Sequence, residues 1–148
     1  MTTENSRAAD EARISELIEE RVKAIRAKDV DALMSYHAPD VVMFDALDPL
    51  RYVGSEAVRE RAGQWLSWYR GPVGYEVRDL SVTAGETVAF CHYLYRVSGT
   101  MTNGTEVDMW VRSTVCFRKT EGAWAVAHEH TSVPFDAESG RASVNLKP

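Results

Sequence analysis

The stretch YEVRDLSVTAGETVAFCHYLYRVSGTMTNGTEVDMWVRSTVCFRKTEGAWAVAHEHTSV, residues 75–133, decides the fold. Apolar and polar residues alternate along it with the period of two that a half-buried strand requires. The alternation breaks at Ala84-Gly85, Asn103-Gly104 and Glu121-Gly122, dipeptides of the kind that close hairpins. The spacing predicts four long strands, roughly 74–83, 86–101, 104–119 and 122–133, each antiparallel to the next. Strands of that length exceed the usual five or six residues, so the sheet must twist and curl strongly.

Upstream of Gly71-Pro72-Val73-Gly74 the period changes to that of helices. Residues 6–28 carry Ile14, Leu17, Ile18, Val22 and Ile25 on one face, with Glu16, Glu19, Glu20 and Lys23 opposite. Arg21 falls inside the apolar stripe. It either lays its stem on the core with its head in water, or points a cation into a pocket. Asp29 can cap a short second helix whose inward stripe is Val30, Leu33, Met34 and His37, stopped by Pro39. Val41 to Phe44 reads as a strand ending at Asp45, and Arg51 to Val53 as a shorter one. Ser55 is the expected cap of a third helix of about 15 residues, burying Val58, Ala62, Trp65, Leu66 and Tyr69.

Helices followed by a large antiparallel sheet define an α+β architecture. Three N-terminal helices packed on the concave face of a strongly curved, mostly antiparallel sheet enclose a cone, a natural small-molecule cavity. The domain is expected to span residues 1–135, with 136–148 a loosely ordered tail.

Composition narrows the functions. The chain has 148 residues, 45% hydrophobic and 26% charged, enough for one domain with a sizeable core. Seventeen Lys and Arg against 22 Asp and Glu leave a formal charge of −5, which argues against nucleic acid and anionic membranes. No apolar run is long enough to span a bilayer, and Met1 to Asp10 lacks the apolar centre of a secretory signal. Cys91 and Cys116 form neither a disulfide framework nor a zinc spacing, so a reducing cytoplasm is the expected compartment.

The closing strand, Gly122-Ala123-Trp124-Ala125-Val126-Ala127-His128-Glu129-His130-Thr131-Ser132-Val133-Pro134, resembles the signature G-x-W-x-[IV]-x-H-x-H-x-S-x-P. That signature belongs to SnoaL-like proteins, ketosteroid isomerase homologues in the NTF2-like superfamily. Lys28-Asp29-Val30-Asp31-Ala32-Leu33, Phe44-Asp45, Tyr52-Val53-Gly54-Ser55 and Arg112-Ser113-Thr114 support the resemblance, which covers about residues 10–135. It implies the NTF2-like cone and a homodimer joined through the sheet. It does not imply one reaction, because the superfamily holds isomerases, polyketide cyclases, dehydratases, epoxide hydrolases and non-catalytic binding modules.

The resemblance places Asp45 where ketosteroid isomerases carry their proton-shuttling aspartate. A carboxylate in an apolar cone can take a proton from a carbon beside a carbonyl; the alternative is a turn-capping Asp. Arg21 stands where those enzymes have the oxyanion-hole tyrosine. Arg112, Ser113 or Thr114 stands near the place of their protonated aspartate. An arginine there would stabilise an enolate or hold a substrate carboxylate. His128 and His130, two apart on a strand, should share a face with Trp124 and Val126, with Arg112 opposite His130 and Thr114 opposite His128. They read either as proton relays or as hydrogen-bonded structural residues. Trp65, Tyr69, Tyr93, Trp110, Thr114 and Val126 are the expected ligand-contacting wall, alongside Trp68.

His-x-His lacks further ligands at a recognisable spacing, so no metal is expected. No phosphate loop calls for a nucleotide, so no cofactor is expected either. These residues point to a cofactor-independent isomerase, cyclase or dehydratase acting on a carbonyl-containing, polyketide-like or other small hydrophobic molecule by proton transfer. The alternative is a ligand-binding or dimeric assembly module with the same cone.

Overall fold

The computed structural model describes residues 3–148. Its elements run α1 (Thr3–Arg26), α2 (Val30–Met34), β1 (His37–Phe44), β2 (Tyr52–Val53), α3 (Ser55–Ser67), β3 (Tyr69–Ala84), β4 (Val88–Met101), β5 (Glu106–Thr120) and β6 (Ala123–Ser132). The strands form one open, curved, mixed sheet in the order β2-β1-β6-β5-β4-β3. Neighbours are antiparallel except β1 and β6, which run parallel. Helix α1 packs against β3, and α3 against β1 and β3.

Local chemistry accounts for where the boundaries differ from expectation. Strand β1 starts at His37, so His37 leaves the second helix and Pro39 lies within the strand instead of ending a helix. Pairing of β1 with β6 is interrupted between His37 and Val42, a place that tolerates a residue without an N–H. Helix α3 is capped by Gly54 and not by Ser55, because the chain enters at φ 91°, a conformation open to glycine. Tyr69 opens β3 instead of ending that helix.

The β5–β6 hairpin sets the site. Glu121 and Gly122 both have positive φ, 52° and 79°, as a two-residue turn matching strand twist requires. Phe117 therefore lies opposite Val126, but the next pairing is Cys116 with His128, so Ala127 is an extra residue in a bulge. Since side chains alternate, one inserted residue exchanges the two faces for everything beyond it. Trp124 and Val126 face inward as expected. Beyond the bulge, Glu129 and Thr131 take the inner face and are buried, at 4% and 7% exposure. The expected pairing is corrected accordingly: Thr114 lies opposite His130, and Arg112 opposite Ser132.

The core fills the closed end of the cone. Ile14, Leu17 and Ile18 of α1 pack on Cys91, Val115, Phe117 and Val126 of the sheet. Each such fully buried side chain contributes about 1.5–3 kcal/mol. A second cluster of Ile25, Leu33, Leu66, Tyr69, Val73 and Val97 lies where α1, α2 and α3 meet β3 and β4. The expected loose tail instead folds back on itself, with Phe135 bridged to Ala142.

Candidate functional site

Between the helices and the inner face of the sheet lies a cavity of about 340 Å³. Trp65, Trp68, Tyr69, Tyr75 and Tyr95 supply its aromatic wall, and Met34, Met43, Met101 and Met109 much of the rest. Tyr75 and Tyr95 stack with ring centroids 4.7 Å apart. Burial pushes both their hydroxyls well above the usual tyrosine range, so they stay neutral.

Four charged side chains enter this wall as two pairs. Asp45 follows Val41 and Met43 on the inward positions of β1 and reaches the cavity. Its Oδ2 accepts from Arg61 Nε at 2.9 Å, and its Oδ1 from Thr131 Oγ1 at 3.3 Å. Ala46 N donates to the same Thr131 hydroxyl at 3.1 Å, fixing the turn that presents the carboxylate. Asp45 Oδ1 also lies 3.4 Å from Leu47 N, so a weak turn-capping contact coexists with its cavity position. The Arg61 guanidinium lies over the Trp68 ring, 4.8 Å from the centroid.

The second pair joins α1 to β6: Arg21 Nη2 donates to Glu129 Oε1, and both line the cavity. Burial alone would push the Glu129 carboxyl up. The Arg21 charge and hydrogen bond outweigh that and hold it below its ordinary value. His37, also in the wall, is driven down to about 4 by burial and then by the Arg21 cation, so it is neutral at pH 7.

Some expected site residues converge and others do not. Arg21, Asp45, Trp65 and Tyr69 line one cavity. Arg21 and Asp45 are not each other's partner, because Glu129 and Arg61 take those places. Tyr93 is buried beneath the cavity beside the Ser113 hydroxyl, and Val126 lines a void of about 10 Å³ next to Arg21. His128, His130, Arg112, Trp110 and Thr114 stand on the outer face. His128 Nδ1 donates to the Val42 carbonyl at 2.7 Å, both imidazoles meet the Phe44 ring edge-on, and Arg112 Nε donates to Ser132 Oγ at 3.1 Å.

Arg61, Glu129, Thr131 and His37 were not among the expected site residues. Arg61 had a signal, since it sits on the inward stripe of α3 three residues after Val58, as Arg21 sits on that of α1. The inward turn of Glu129 and Thr131 depends on the bulge.

Among the described residues, no three His, Cys, Asp or Glu side chains are grouped to hold a metal ion. Neither cysteine is disulfide-bonded, and burial pushes the Cys91 thiol up to about 12, far from a thiolate nucleophile. No helix among the described residues is long and apolar enough to cross a membrane.

A helix-backed curved sheet with a polar-tipped apolar cone is the NTF2-like fold, and comparison with known proteins narrows it further. Residues 14–136 match the SnoaL-like domain, and the chain belongs to that family. An NTF2-like protein of unknown function from Pseudomonas putida KT2440 is 33% identical, with a TM-score of 0.88 over 95% of this chain and 98% of that one. A ketosteroid isomerase-like protein from Erwinia carotovora atroseptica shares the fold at 20% identity and a TM-score of 0.72, covering 83% of this chain and 95% of that one. An NTF2-like superfamily protein from Salmonella enterica does so at 15% identity and a TM-score of 0.77, over 92% and 99%. No curated protein matches the chain.

Proposed function

We propose that this SnoaL-like protein binds a small, uncharged, ring-bearing carbonyl compound in its cone and moves a proton on it without a cofactor, as an isomerase, cyclase or dehydratase. The observation that carries the reading is the carboxylate of Asp45 in the wall of an aromatic cavity, oriented by Thr131 and Arg61. Asp45 takes a proton from the carbon next to the ligand carbonyl. The Arg21 guanidinium, in the same cavity, favours the enolate oxygen that forms, and the proton returns to another atom of the ligand. Each arginine is already balanced by a carboxylate, so a ligand that arrives with a full negative charge would add to Asp45 and Glu129 with no surplus positive charge to offset it. This favours uncharged ligands over acids.

The test is deuterium exchange by NMR at the carbon beside the carbonyl, across a panel of uncharged ring ketones in D2O. Exchange catalysed by the protein and lost in Asp45→Asn supports the reading. Exchange unchanged in Asp45→Asn removes the base.

One observation favours a binding module instead: Asp45 already holds Arg61, Thr131 and the Leu47 amide, so its carboxylate can serve as a fixed polar end of the cavity. Binding of the same ketones without exchange would select that reading. In either case the outer face of the sheet, with Phe44, Val53, Val88 and Phe90 exposed, is proposed as the interface of a homodimer. Light scattering should then give twice the 16.6 kDa of one chain. The free cysteines suit a cytoplasmic location.

A further inference from the structure

The family match ends at residue 136, yet the wall of the cavity continues beyond it. Ala142 and Val144 both line the cavity, together with Val133 at the end of β6. The chain reaches them by leaving β6, passing Pro134 and doubling back. Phe135 bridges Ala142, and Ser143 N donates to the Pro134 carbonyl at 2.7 Å. Asp136 N donates to Arg141 O at 2.8 Å, and Gly140 N to Asp136 O at 2.7 Å. The Asp136 carboxylate closes the turn, accepting from Glu138 N and from Ser139 Oγ, both at 3.1 Å.

Beyond Val144 the chain lies near the start of β5. There the Asp108 carboxyl is held below its ordinary value first by its hydrogen bond with Arg96 and, more weakly, by the nearby Lys147 cation. Val107 and Met109, on either side of Asp108 in sequence, line the cavity too. The segment is therefore a strap that leaves the end of β6 and lays Ala142 and Val144 into the cavity wall.

Two features make the strap separable from the wall it completes. Among the described residues, every hydrogen bond found within 134–146 is internal to the segment, and none ties it to a helix or to β1–β5. Its apolar side chains are also poorly buried: Phe135 is 70%, Val144 46% and Leu146 53% exposed. An element that holds its own hydrogen bonds and buries little apolar surface opens at low cost in free energy, and it opens as a unit. Pro134, two residues past the end of β6, marks the hinge, since it has no N–H to commit to the sheet.

We infer that residues 134–146 are the gate of the cavity and that Ala142 and Val144 set how large a ligand it closes over. The inference rests on the reading of the cavity as a ligand site. It does not depend on proton transfer at Asp45. Closed, the strap removes apolar ligand surface from water. Swung about Pro134, it opens the route by which a ligand too large to pass the closed wall enters and leaves.

The test uses the full chain and 6-propionyl-2-(dimethylamino)naphthalene, an uncharged aromatic ketone whose emission reports burial. Asp136→Ala removes the turn closure at an exposed position, so stopped-flow entry and release of the probe should both quicken, by about tenfold, with little change in Kd. Val144→Trp fills the space behind the strap and should weaken Kd about tenfold with Tm unchanged.

Unchanged probe rates in Asp136→Ala, or an unchanged Kd in Val144→Trp, would overturn the gate while leaving the ligand site standing. Failure of the full chain to bind the probe at all would count against the ligand site and the gate together.

Discussion

The two ion pairs of the cavity are built from the same residue types but turned in opposite directions. In the pair between α3 and the end of β1, the Arg61 side chain is the sealed member at 5% exposure, and Asp45 keeps 17%. In the pair between α1 and β6, the Glu129 side chain is sealed at 5% and that of Arg21 keeps 14%. One pair thus offers the cavity a carboxylate backed by a cation. The other offers a guanidinium backed by an anion. Burying either charge alone would be costly, and the pairing offsets that cost while leaving one usable group of each sign. A base and an anion-stabilising group are what proton transfer beside a carbonyl requires.

The contrast predicts unequal responses, and the largest belongs to Glu129. Glu129→Gln keeps the shape but leaves the Arg21 cation in a buried site without its counter-charge. We expect a loss of about 3–5 kcal/mol in unfolding free energy, measured by urea titration. A loss under about 1 kcal/mol would mean that Arg21 reaches water, and the two pairs would then not differ as described.

How much of this arrangement could be read in advance depends on whether parity survives along each strand. On β1 it does: Val41, Met43 and Asp45 alternate inward without interruption into the turn, so Asp45 was legible. On α1 the helical period was regular, and Arg21 stood out within it. The same test applied to α3 marks Arg61, but its neighbour Ala62 supplies an apolar residue on that face and masks the basic one. On β6 the extra residue is Ala127, flanked by Val126 and His128, and no glycine or proline marks the bulge. Unbroken alternation places His128 and His130 inward with Trp124 and Val126, while the unmarked bulge turns Glu129 and Thr131 inward instead. The strap was illegible for a different reason: it is held by backbone bonds and one aspartate, which leave no hydrophobic pattern.

The next effect sharpens the contrast through pH. His37 lines the cavity in the electrostatic reach of the Arg21–Glu129 pair, and its imidazole is driven from 6.5 to about 4 by burial and by the Arg21 cation, against the opposing pull of Glu129. The unfolded chain therefore binds a proton between pH 6.5 and 4 that the folded chain refuses. Stability from this group is fully present above pH 6.5 and declines as pH falls towards 4, by up to about 3 kcal/mol. Glu129 adds a loss at lower pH, since its carboxyl is depressed in the fold and its contribution disappears as pH falls through that value. Replacing His37 by Gln should flatten the decline between pH 6.5 and 4 and leave the more acidic loss in place. A decline of the same size in the His37→Gln protein would assign it to other groups.

The smallest effect on stability is expected where the effect on chemistry is greatest. Asp45→Asn keeps one oxygen, which can accept from Arg61 Nε in place of Oδ2, while its new amide can donate to Thr131 Oγ1, which still accepts from Ala46 N, so the turn into Ala46 keeps its geometry. Arg61 loses its counter-charge, but its guanidinium still rests on the Trp68 ring at 4.8 Å. Exchanging a charge-assisted hydrogen bond for a neutral one, with a cation–π contact remaining, costs about 1–2 kcal/mol. That is well below the loss expected for Glu129→Gln. An amide cannot accept the carbon-bound proton, so deuterium exchange on a bound ketone should stop while the ketone still binds. Urea midpoints and exchange rates measured on the same preparations decide the matter. If Asp45→Asn lost as much stability as Glu129→Gln, Asp45 would be a structural counter-ion to Arg61 like Glu129 to Arg21, and the assignment of one working carboxylate and one sealed one would be wrong.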